Sequence, residues 1–468
     1  MLLDTVKHQL SQWRDAFKMY RDPDQPPVIG WQLPFVGCGL QFGLRGPEWL
    51  RIQHQRLGSP FTLYMLGRTF TFADGPEYMR EFYTAGVEDV SMLAGLETFA
   101  GISELLVLNS TGPEGANVGM EVLKHFLAGK VTSAGESLDA EAGLALREAL
   151  AAGRADLLPV LRRVILRLTA LLLAGPRMAH MPGFIDAVCD VDDASLRLAK
   201  NPYSRAAVRA GVVARDRVVE YVVDELRRRR AAPAPEHEDL CDRLLAARDP
   251  QGAAFSDEQL GQEMLGYMFA TSANTPAGAA MCMLHILQDP ALRRRIDDEQ
   301  TAARAAHGEA ISFAALKAMP VLQATYLETL RMYVGPMHLR MAIKPMVVGP
   351  YTLPARSLIG FSVYRLHRDP AVYTDPDVFD PDRFLAGPRG PASAPSSAHY
   401  LPYGRGVHTC LGRNLARQEI MLTVARLVRD FQVELEPCKQ PLAPDFLTNG
   451  IAAPAGPRML RVTRRTQP

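Results

Sequence analysis

One cysteine stands at the junction between a glycine-rich loop and an amphipathic helix in "LPYGRGVHTCLGRNLARQE" (401–419). The glycines around it, Gly404, Gly406 and Gly412, let the backbone turn tightly and let a large flat group lie close against it. Cys410 would lie at the start of the helix, where unpaired amides and the helix dipole favour negative charge, as on a thiolate. Two interpretations follow from this segment: a functional thiolate, or a buried structural cysteine beside a turn.

The other cysteines form no recognisable metal or disulfide pattern. The 468-residue chain has six cysteines, far apart and without a CxxC pair: Cys38, Cys189, Cys241, Cys282, Cys410 and Cys438. This spacing argues against a zinc site, a redox dithiol or a disulfide framework, and it fits a reducing cytoplasm. The formal net charge of +1 gives no strong field toward nucleic acid. We therefore predict a cytoplasmic protein that does not bind nucleic acid.

The apolar segments of the sequence do not predict a membrane span. The longest of them, residues 157–175, carries Arg162, Arg163 and Arg167, whose charges are too costly for a bilayer. Residues 1–20 show apolar positions at helical spacing and no signal-peptide pattern. This N-terminal segment is predicted to be an amphipathic helix, either packed on the body of the protein or in peripheral contact with a membrane surface.

The order of the secondary-structure patterns indicates one large, mostly helical fold. Two strands are predicted in residues 61–74, and residues 76–335 are mostly helical by the spacing of their apolar residues. A long helix is predicted from Ser256, where "SDEQ" is a capping sequence, to about residue 287. Short strands and turns follow. We predict a mainly α fold with small β-sheets, with an N-terminal helix segment (1–25) and a single large domain (26–468).

The cysteine segment resembles the heme-binding signature of the cytochrome P450 family. In "YGRGVHTCLG" (403–412), Cys410 stands where the family has the thiolate ligand of heme iron, and Gly404 falls in register. Tyr403 stands where the family usually has Phe, and His408 stands where a basic residue usually meets a heme propionate. The resemblance implies that these residues bind heme b (iron protoporphyrin IX), with Cys410 as the metal ligand.

Three further motifs agree with the family in order and spacing. "ETLR" supplies Glu328 and Arg331, one helical turn apart, and "FDPDRF" supplies Arg383, which in the family completes a buried Glu-Arg-Arg cluster. Between them, Arg340 in "MHLRMA" falls where the family has an arginine on a heme propionate. The resemblance thus implies a cytochrome P450-type heme domain over most of the chain. The remaining heme-binding residues that it implies are Lys124, to which His125 is the alternative, and Ala270.

The helix expected to face the heme departs from the family pattern. In "ATSANTPA" (270–277), Ala273 and Asn274 replace the usual acid and threonine. Asparagine cannot act as an acid at neutral pH, but its amide can hold a water or a bound oxygen. The resemblance makes Asn274 and Thr275 the candidate catalytic residues. Pro276 predicts a kink in this helix.

The resemblance implies an enzyme and leaves two reaction types open. The first is a monooxygenase that hydroxylates or epoxidises an apolar sterol-, fatty-acid- or polyketide-like molecule, with O₂ and two electrons from a ferredoxin or flavodoxin-type donor. The second is a reductant-independent isomerase or dehydratase, or a peroxide-using enzyme, acting on an oxygenated substrate. A heme sensor or carrier is the non-enzymatic alternative. Residues 29–43 and 270–277 resemble the branch of the family that contains cholesterol 7-alpha-hydroxylase and prostacyclin synthase.

The substrate, by family position, is expected to meet apolar and adaptable side chains. These side chains are Met92, Leu93, Phe99, Met264, Met268, Met337 and Ile451. The alternative interpretation makes each of them an ordinary core residue.

Overall fold

The secondary structure is predominantly helical. The structure, a computed structural model, describes residues 2–100, 105–106, 110–201, 204–232, 239–335, 337–385, 398–438, 443–446 and 450–465. Within these residues the helices are α1 (Leu2–Arg21), α2 (Gly39–Arg45), α3 (Pro47–Leu57), α4 (Pro76–Thr84), α5 (Met92–Ala100), α6 (Val118–Ser133), α7 (Gly135–Ala149), α8 (Leu157–Ala179), α9 (Phe184–Lys200), α10 (Arg205–Ala231), α11 (Leu240–Ala246), α12 (Asp257–Ser272), α13 (Asn274–Gln288), α14 (Pro290–His307), α15 (Phe313–Lys317), α16 (Pro320–Tyr333), α17 (Val363–Leu366) and α18 (Arg413–Asp430). This confirms the predicted mainly α fold.

The strands are short and form small sheets. They are β1 (Val28–Ile29), β2 (Phe61–Met65), β3 (Arg68–Phe72), β4 (Val90–Ser91), β5 (Arg154–Asp156), β6 (His338–Ala342), β7 (Met346–Val348), β8 (Tyr351–Leu353), β9 (Leu358–Phe361), β10 (Phe431–Leu435), β11 (Pro444–Asp445), β12 (Ala453–Pro454) and β13 (Met459–Arg464). Six of them form one sheet in the order β1-β2-β3-β9-β6-β4, and β10-β13-β5, β11-β12 and β7-β8 form the smaller sheets of the described residues. The two strands predicted in residues 61–74 are confirmed as β2 and β3.

The chain divides into two compact units. The first unit comprises Met1–Ala100, Val334–Val378 and Pro395–Cys410. The second comprises Gly101–Tyr333, Phe379–Ala394 and Leu411–Pro468. The six-stranded sheet and the cysteine loop belong to the first unit, and α6 to α16 belong to the second.

Apolar packing holds the sheet of the first unit together. Strands β2 and β3 are antiparallel with Leu63 opposite Phe70, and β3 runs parallel to β9. Leu63 and Phe70 are buried in one core cluster with Trp49. Helix α1 belongs to the same unit, where the indole Nε1 of Trp13 donates a hydrogen bond to the carbonyl of Trp31 at 2.5 Å. The C-terminal half of α1 thus packs against the rest of the first unit.

The long helix predicted from Ser256 is two helices in the second unit. Helix α12 begins with a capping box built on Ser256, as predicted. It ends at Ser272 and α13 begins at Asn274, with one turn residue, Ala273, between them, whose φ of −102° and ψ of −50° stay near the right-handed helical region. Pro276 explains the break, since a proline donates no hydrogen bond and its ring clashes with the carbonyl four residues earlier. The predicted kink at Pro276 is therefore a break three residues N-terminal to it.

The arginines of α8 pair with acidic residues of neighbouring helices. Arg162 contacts Asp192 and, at 2.7 Å, Asp193 of α9. Arg167 contacts Glu141 of α7. Among the described residues, none of the helices has the length and apolar character needed to span a bilayer.

Candidate active site

The cysteine loop of the first unit carries an exposed thiol. Gly404 and Gly406 have φ values of 66° and 73°, so the turn uses backbone conformations that favour glycine. The N–H of Cys410 donates to the carbonyl of Tyr403 at 3.0 Å, which closes the loop, and Cys410 itself is exposed. Helix α18 begins three residues later, at Arg413. The interpretation of Cys410 as a buried structural cysteine therefore does not fit.

Four of the five other cysteines are less exposed than Cys410. Cys38, Cys241 and Cys282 are buried. Burial raises the pKa of Cys38 and that of Cys282 to about 12, because an apolar environment disfavours the thiolate. Cys438 is exposed like Cys410, but it follows strand β10 without a glycine loop. Cys410 is thus the thiol best placed to serve as a ligand.

The end of helix α4 contacts the cysteine loop within the first unit. A Cβ atom at Gly406 would collide with the carbonyl oxygen of Tyr83 and lie 3.2 Å from its carbonyl carbon. A Cβ atom at Gly404 would have room, since its nearest neighbour would be Cε1 of His338 at 3.6 Å. Gly406 is therefore required both by packing and by its backbone conformation, whereas Gly404 is required by its backbone conformation alone.

Arg340 is a buried cation on β6, with 3% of its surface exposed. Its guanidinium lies over the rings of Phe82 and Tyr83, 4.5 and 5.4 Å from their centroids, and donates to the carbonyl of Phe82. His338 lies on the same face of β6 as Arg340, because side chains alternate along a strand. The Nδ1 atom of His338 is 2.5 Å from Oη of Tyr83. Burial, and then the charge of Arg340, lower the pKa of His338 to about 4. At neutral pH, His338 is uncharged and Arg340 carries the positive charge.

The other predicted propionate partners lie in different settings. His408 ends the short 3-10 turn Gly406–His408 in the first unit and is half-buried. Lys124, on α6 of the second unit, is exposed and pairs with Glu121 at 3.3 Å. His125 lies 3.9 Å from the same carboxylate. Lys124 thus already has an acidic partner on an exposed helix face.

The Glu-Arg-Arg cluster is present in the second unit and is buried. Two hydrogen bonds of 2.7 Å join the guanidinium of Arg331 to both carboxylate oxygens of Glu328. Nε of Arg383 donates to Oε1 of Glu328 at 3.3 Å, and the N–H of Asp380 donates to the same oxygen at 2.8 Å. Glu328 and Arg331 are each 0% exposed. The charge of the buried carboxylate is therefore compensated by several donors.

Asn274 is bonded to the C-terminal segment of the second unit. Its Oδ1 accepts a hydrogen bond from the N–H of Ile451 at 2.9 Å. Thr275 beside it is buried, whereas Ala270 on α12 is exposed. The described part of the second unit thus brings these three candidates together around the break at Ala273.

The side chains expected to contact substrate fall into two groups. Met264 and Met268 are 0% exposed and fit the core interpretation. The side chain of Phe99 lies outside the described part of the chain. The half-buried or exposed members are Met92, Leu93, Met337 and Ile451.

Comparison with known proteins supports one family. The family model described as "Cytochrome P450" matches residues 187–462, which is more than half of the chain. The chain belongs to the cytochrome P450 family. Proteins of this family and fold bind heme, so the predicted family, heme cofactor and oxidoreductase class are confirmed.

Individual P450 relatives differ in how much of the chain they match. The putative cytochrome P450 120 of Synechocystis is 25% identical over 86% of this chain and 90% of its own length. The cytochrome P450 monooxygenase oblB of Aspergillus clavatus is 33% identical, over 40% of this chain and 36% of its own length. The match therefore spans about a third of that fungal protein. The solved structure titled "Retinoic acid bound cyanobacterial CYP120A1" has a TM-score of 0.79 and 23% identity over 94% of this chain and 99% of its own, which shows the same fold.

The residues of the first unit fit the heme of a P450. The exposed thiol of Cys410 would supply the soft ligand that heme-thiolate iron requires. Arg340 is a buried cation, which suits a carboxylate such as a heme propionate. Sequence reasoning missed His338 and its hydrogen bond to Tyr83. His338 precedes Arg340 by two residues, and this spacing could have indicated that the two side chains lie on the same face of a strand.

Proposed function

We propose that this protein is a heme-thiolate monooxygenase that hydroxylates or epoxidises an apolar small molecule with O₂ and two electrons from a redox partner. The observation that carries the proposal is the exposed Cys410 thiol in its glycine loop, in a chain of the P450 family. Thiolate-ligated heme, when bound, supplies the activation of O₂ that this reaction requires. The chain supplies binding, orientation and proton transfer, within a catalytic domain that we take to be residues 26–468 after the helix segment 1–25.

We assign cofactor binding mainly to the first unit. Cys410 would ligate the iron, and Arg340 and His408 would each donate to a propionate. Lys124 would reach a propionate only by exchanging its contact with Glu121, so we give it a minor part. The remaining residues of the proposed heme surface are Tyr403, Gly404 and Ala270.

An apolar substrate fits the side chains at the family's substrate positions. Met92, Leu93, Met337 and Ile451 are apolar, and methionine adapts its shape to irregular ligands. The structural neighbour with bound retinoic acid supports the same class of ligand. We propose a sterol-, fatty-acid- or polyketide-like substrate, which a spectral-shift screen of these three classes against the purified holoprotein would test.

We assign the distal chemistry to Asn274 and Thr275. Oδ1 of Asn274 already accepts a hydrogen bond, so its Nδ2 amide is the group that would hold a water or a substrate oxygen. The hydroxyl of Thr275 can both donate and accept. Because Ala273 supplies no acid, protons would reach the reacting oxygen through a water held by these side chains.

The electron donor is proposed to be an acidic ferredoxin or flavodoxin-type protein in the cytoplasm. Arg413 and Arg417 are four residues apart on α18 and share a face of that helix. Lys317 of the neighbouring α15 lies over the Phe313 ring at 4.8 Å, and Arg417 lies over the same ring at 5.8 Å. These cations would steer an acidic partner toward the protein in a salt-dependent manner.

The missing acid at Ala273 supports a second candidate, a reductant-independent isomerase, dehydratase or peroxide-using enzyme. Such an enzyme needs neither O₂ nor an electron donor. An aerobic assay with reductase and ¹⁸O₂ is therefore set beside anaerobic incubation of the ferric protein with a hydroperoxide. We expect label in the product and no anaerobic turnover. Rapid anaerobic turnover without reductant would overturn the monooxygenase.

A further inference from the structure

The contact between Asn274 and the C-terminal segment is closely fitted. Oδ1 of Asn274 accepts from the N–H of Ile451 at 2.9 Å. A Cβ atom built on the preceding residue, Gly450, would collide with Oδ1 and lie 2.9 Å from Cγ and 3.0 Å from Nδ2 of Asn274. Contacts under 3.0 Å at a Cβ require a shift of one partner, so Asn274 occupies the space that a side chain at Gly450 would need.

Ile451 is held from both sides in the second unit. The next residue, Ala452, donates its N–H to the carbonyl of Tyr333 at 2.8 Å, at the end of α16. Beyond it, β12 pairs with β11. On α13, Gly278 lies one turn after Asn274, and a Cβ atom there would be 3.5 Å from Cδ1 of Ile451. The side chain of Ile451 therefore rests on α13, and the bond to Asn274 fixes its backbone.

We propose that Asn274 is a positioning residue for substrate specificity, which fixes Ile451 as a rigid part of the substrate wall and would be displaced by a side chain at position 450. This rests on the proposed function only in taking Ile451 as a wall residue. The side chain of Asn274 acts here through its carbonyl, as an acceptor for backbone. A threonine could not reproduce this bond, because on a helix its hydroxyl turns back toward the carbonyl of the preceding turn.

The tether itself is tested by amide hydrogen exchange of the holoprotein, resolved at Ile451 by fragmentation mass spectrometry. Asn274→Ala and Gly450→Ala should each lower protection at Ile451 by about fivefold or more, the worth of one hydrogen bond. Asn274→Asp keeps the acceptor oxygen and should keep the protection. The N–H of Ala452, which bonds to Tyr333, is the internal control. Unchanged protection at Ile451 in Asn274→Ala would overturn the proposal.

The effect on specificity is tested by spectral titration with two azole probes of different shape, phenylimidazole and dodecylimidazole. The ratio of their dissociation constants should shift in the same direction in Asn274→Ala and Gly450→Ala, and the double variant should show no further shift, because both changes break one contact. A ratio that stays constant while Ile451 loses protection would overturn the specificity role. Failure of the ¹⁸O₂ assay would leave both measurements standing, so the two proposals fail separately.

Discussion

Replacing Arg331 with alanine should destabilise the second unit, because it removes the main partner of a buried carboxylate. Glu328 and Arg331 are each 0% exposed and share two hydrogen bonds of 2.7 Å. Removing one member of a buried ion pair costs roughly 3–5 kcal/mol. Arg383 and the N–H of Asp380 still bond to Glu328, so we expect the lower end, about 3 kcal/mol.

The assay is urea unfolding followed by the helical circular dichroism band, with heme content measured on the same samples. Most domains are stable by about 5–15 kcal/mol, so the expected loss should lower the urea midpoint and the yield of heme-loaded protein. Arg295→Ala is the matched control, because Arg295 pairs with Asp382 at 2.6 Å but the two side chains are 41% and 37% exposed. It should cost no more than about 1 kcal/mol. Equal midpoints for the two variants would refute the reasoning.

Four further changes test the site and its surroundings. Cys410→Ala should abolish the red-shifted Soret band of the ferrous CO complex, whereas the exposed Cys438→Ala should keep it; a retained band in the first variant would reject the ligand. Arg340→Ala should speed heme transfer to apomyoglobin, since it loses a charge-assisted bond worth about 1.5–3 kcal/mol, and an unchanged rate would remove Arg340 from the heme site. Burial raises the pKa of Glu419 from 4.5 to about 8, so the folded state binds more protons than the unfolded state between these values, and stability should fall as the pH rises from 4.5 to 8. Glu419→Gln should remove this slope, which is at most about 1.4 kcal/mol per pH unit. Parallel pH profiles of the variant and the wild type would contradict this prediction. Arg413→Glu should slow reduction by an acidic ferredoxin and weaken the salt dependence of that rate. If neither the rate nor its salt dependence changed, Arg413 would have no part in steering the electron donor.

The parts of the fold that could be predicted from sequence are those set by local chemistry. The capping box at Ser256 and the turn at Gly404 depend on a few neighbouring residues, so their patterns are readable. The sequence predicts a kink at Pro276, but the helix breaks at Ala273. The break lies N-terminal to the proline because the proline ring clashes with the carbonyl four residues earlier. The bond from Ile451 to Asn274 joins residues 177 apart in the chain, and no periodicity encodes such a pairing.

The division of the chain into two units has a spectroscopic consequence. The chain has three tryptophans, Trp13, Trp31 and Trp49, and all of them belong to the first unit. Indole emission therefore reports the environment of that unit alone, while the helical dichroism signal arises mainly from the second. The same urea titration, followed by both signals, therefore tests cooperativity. Coincident curves mean that the two units unfold together. Separated curves mean that a partly unfolded intermediate is populated, and the signal that is lost first identifies the unit that is unfolded in it.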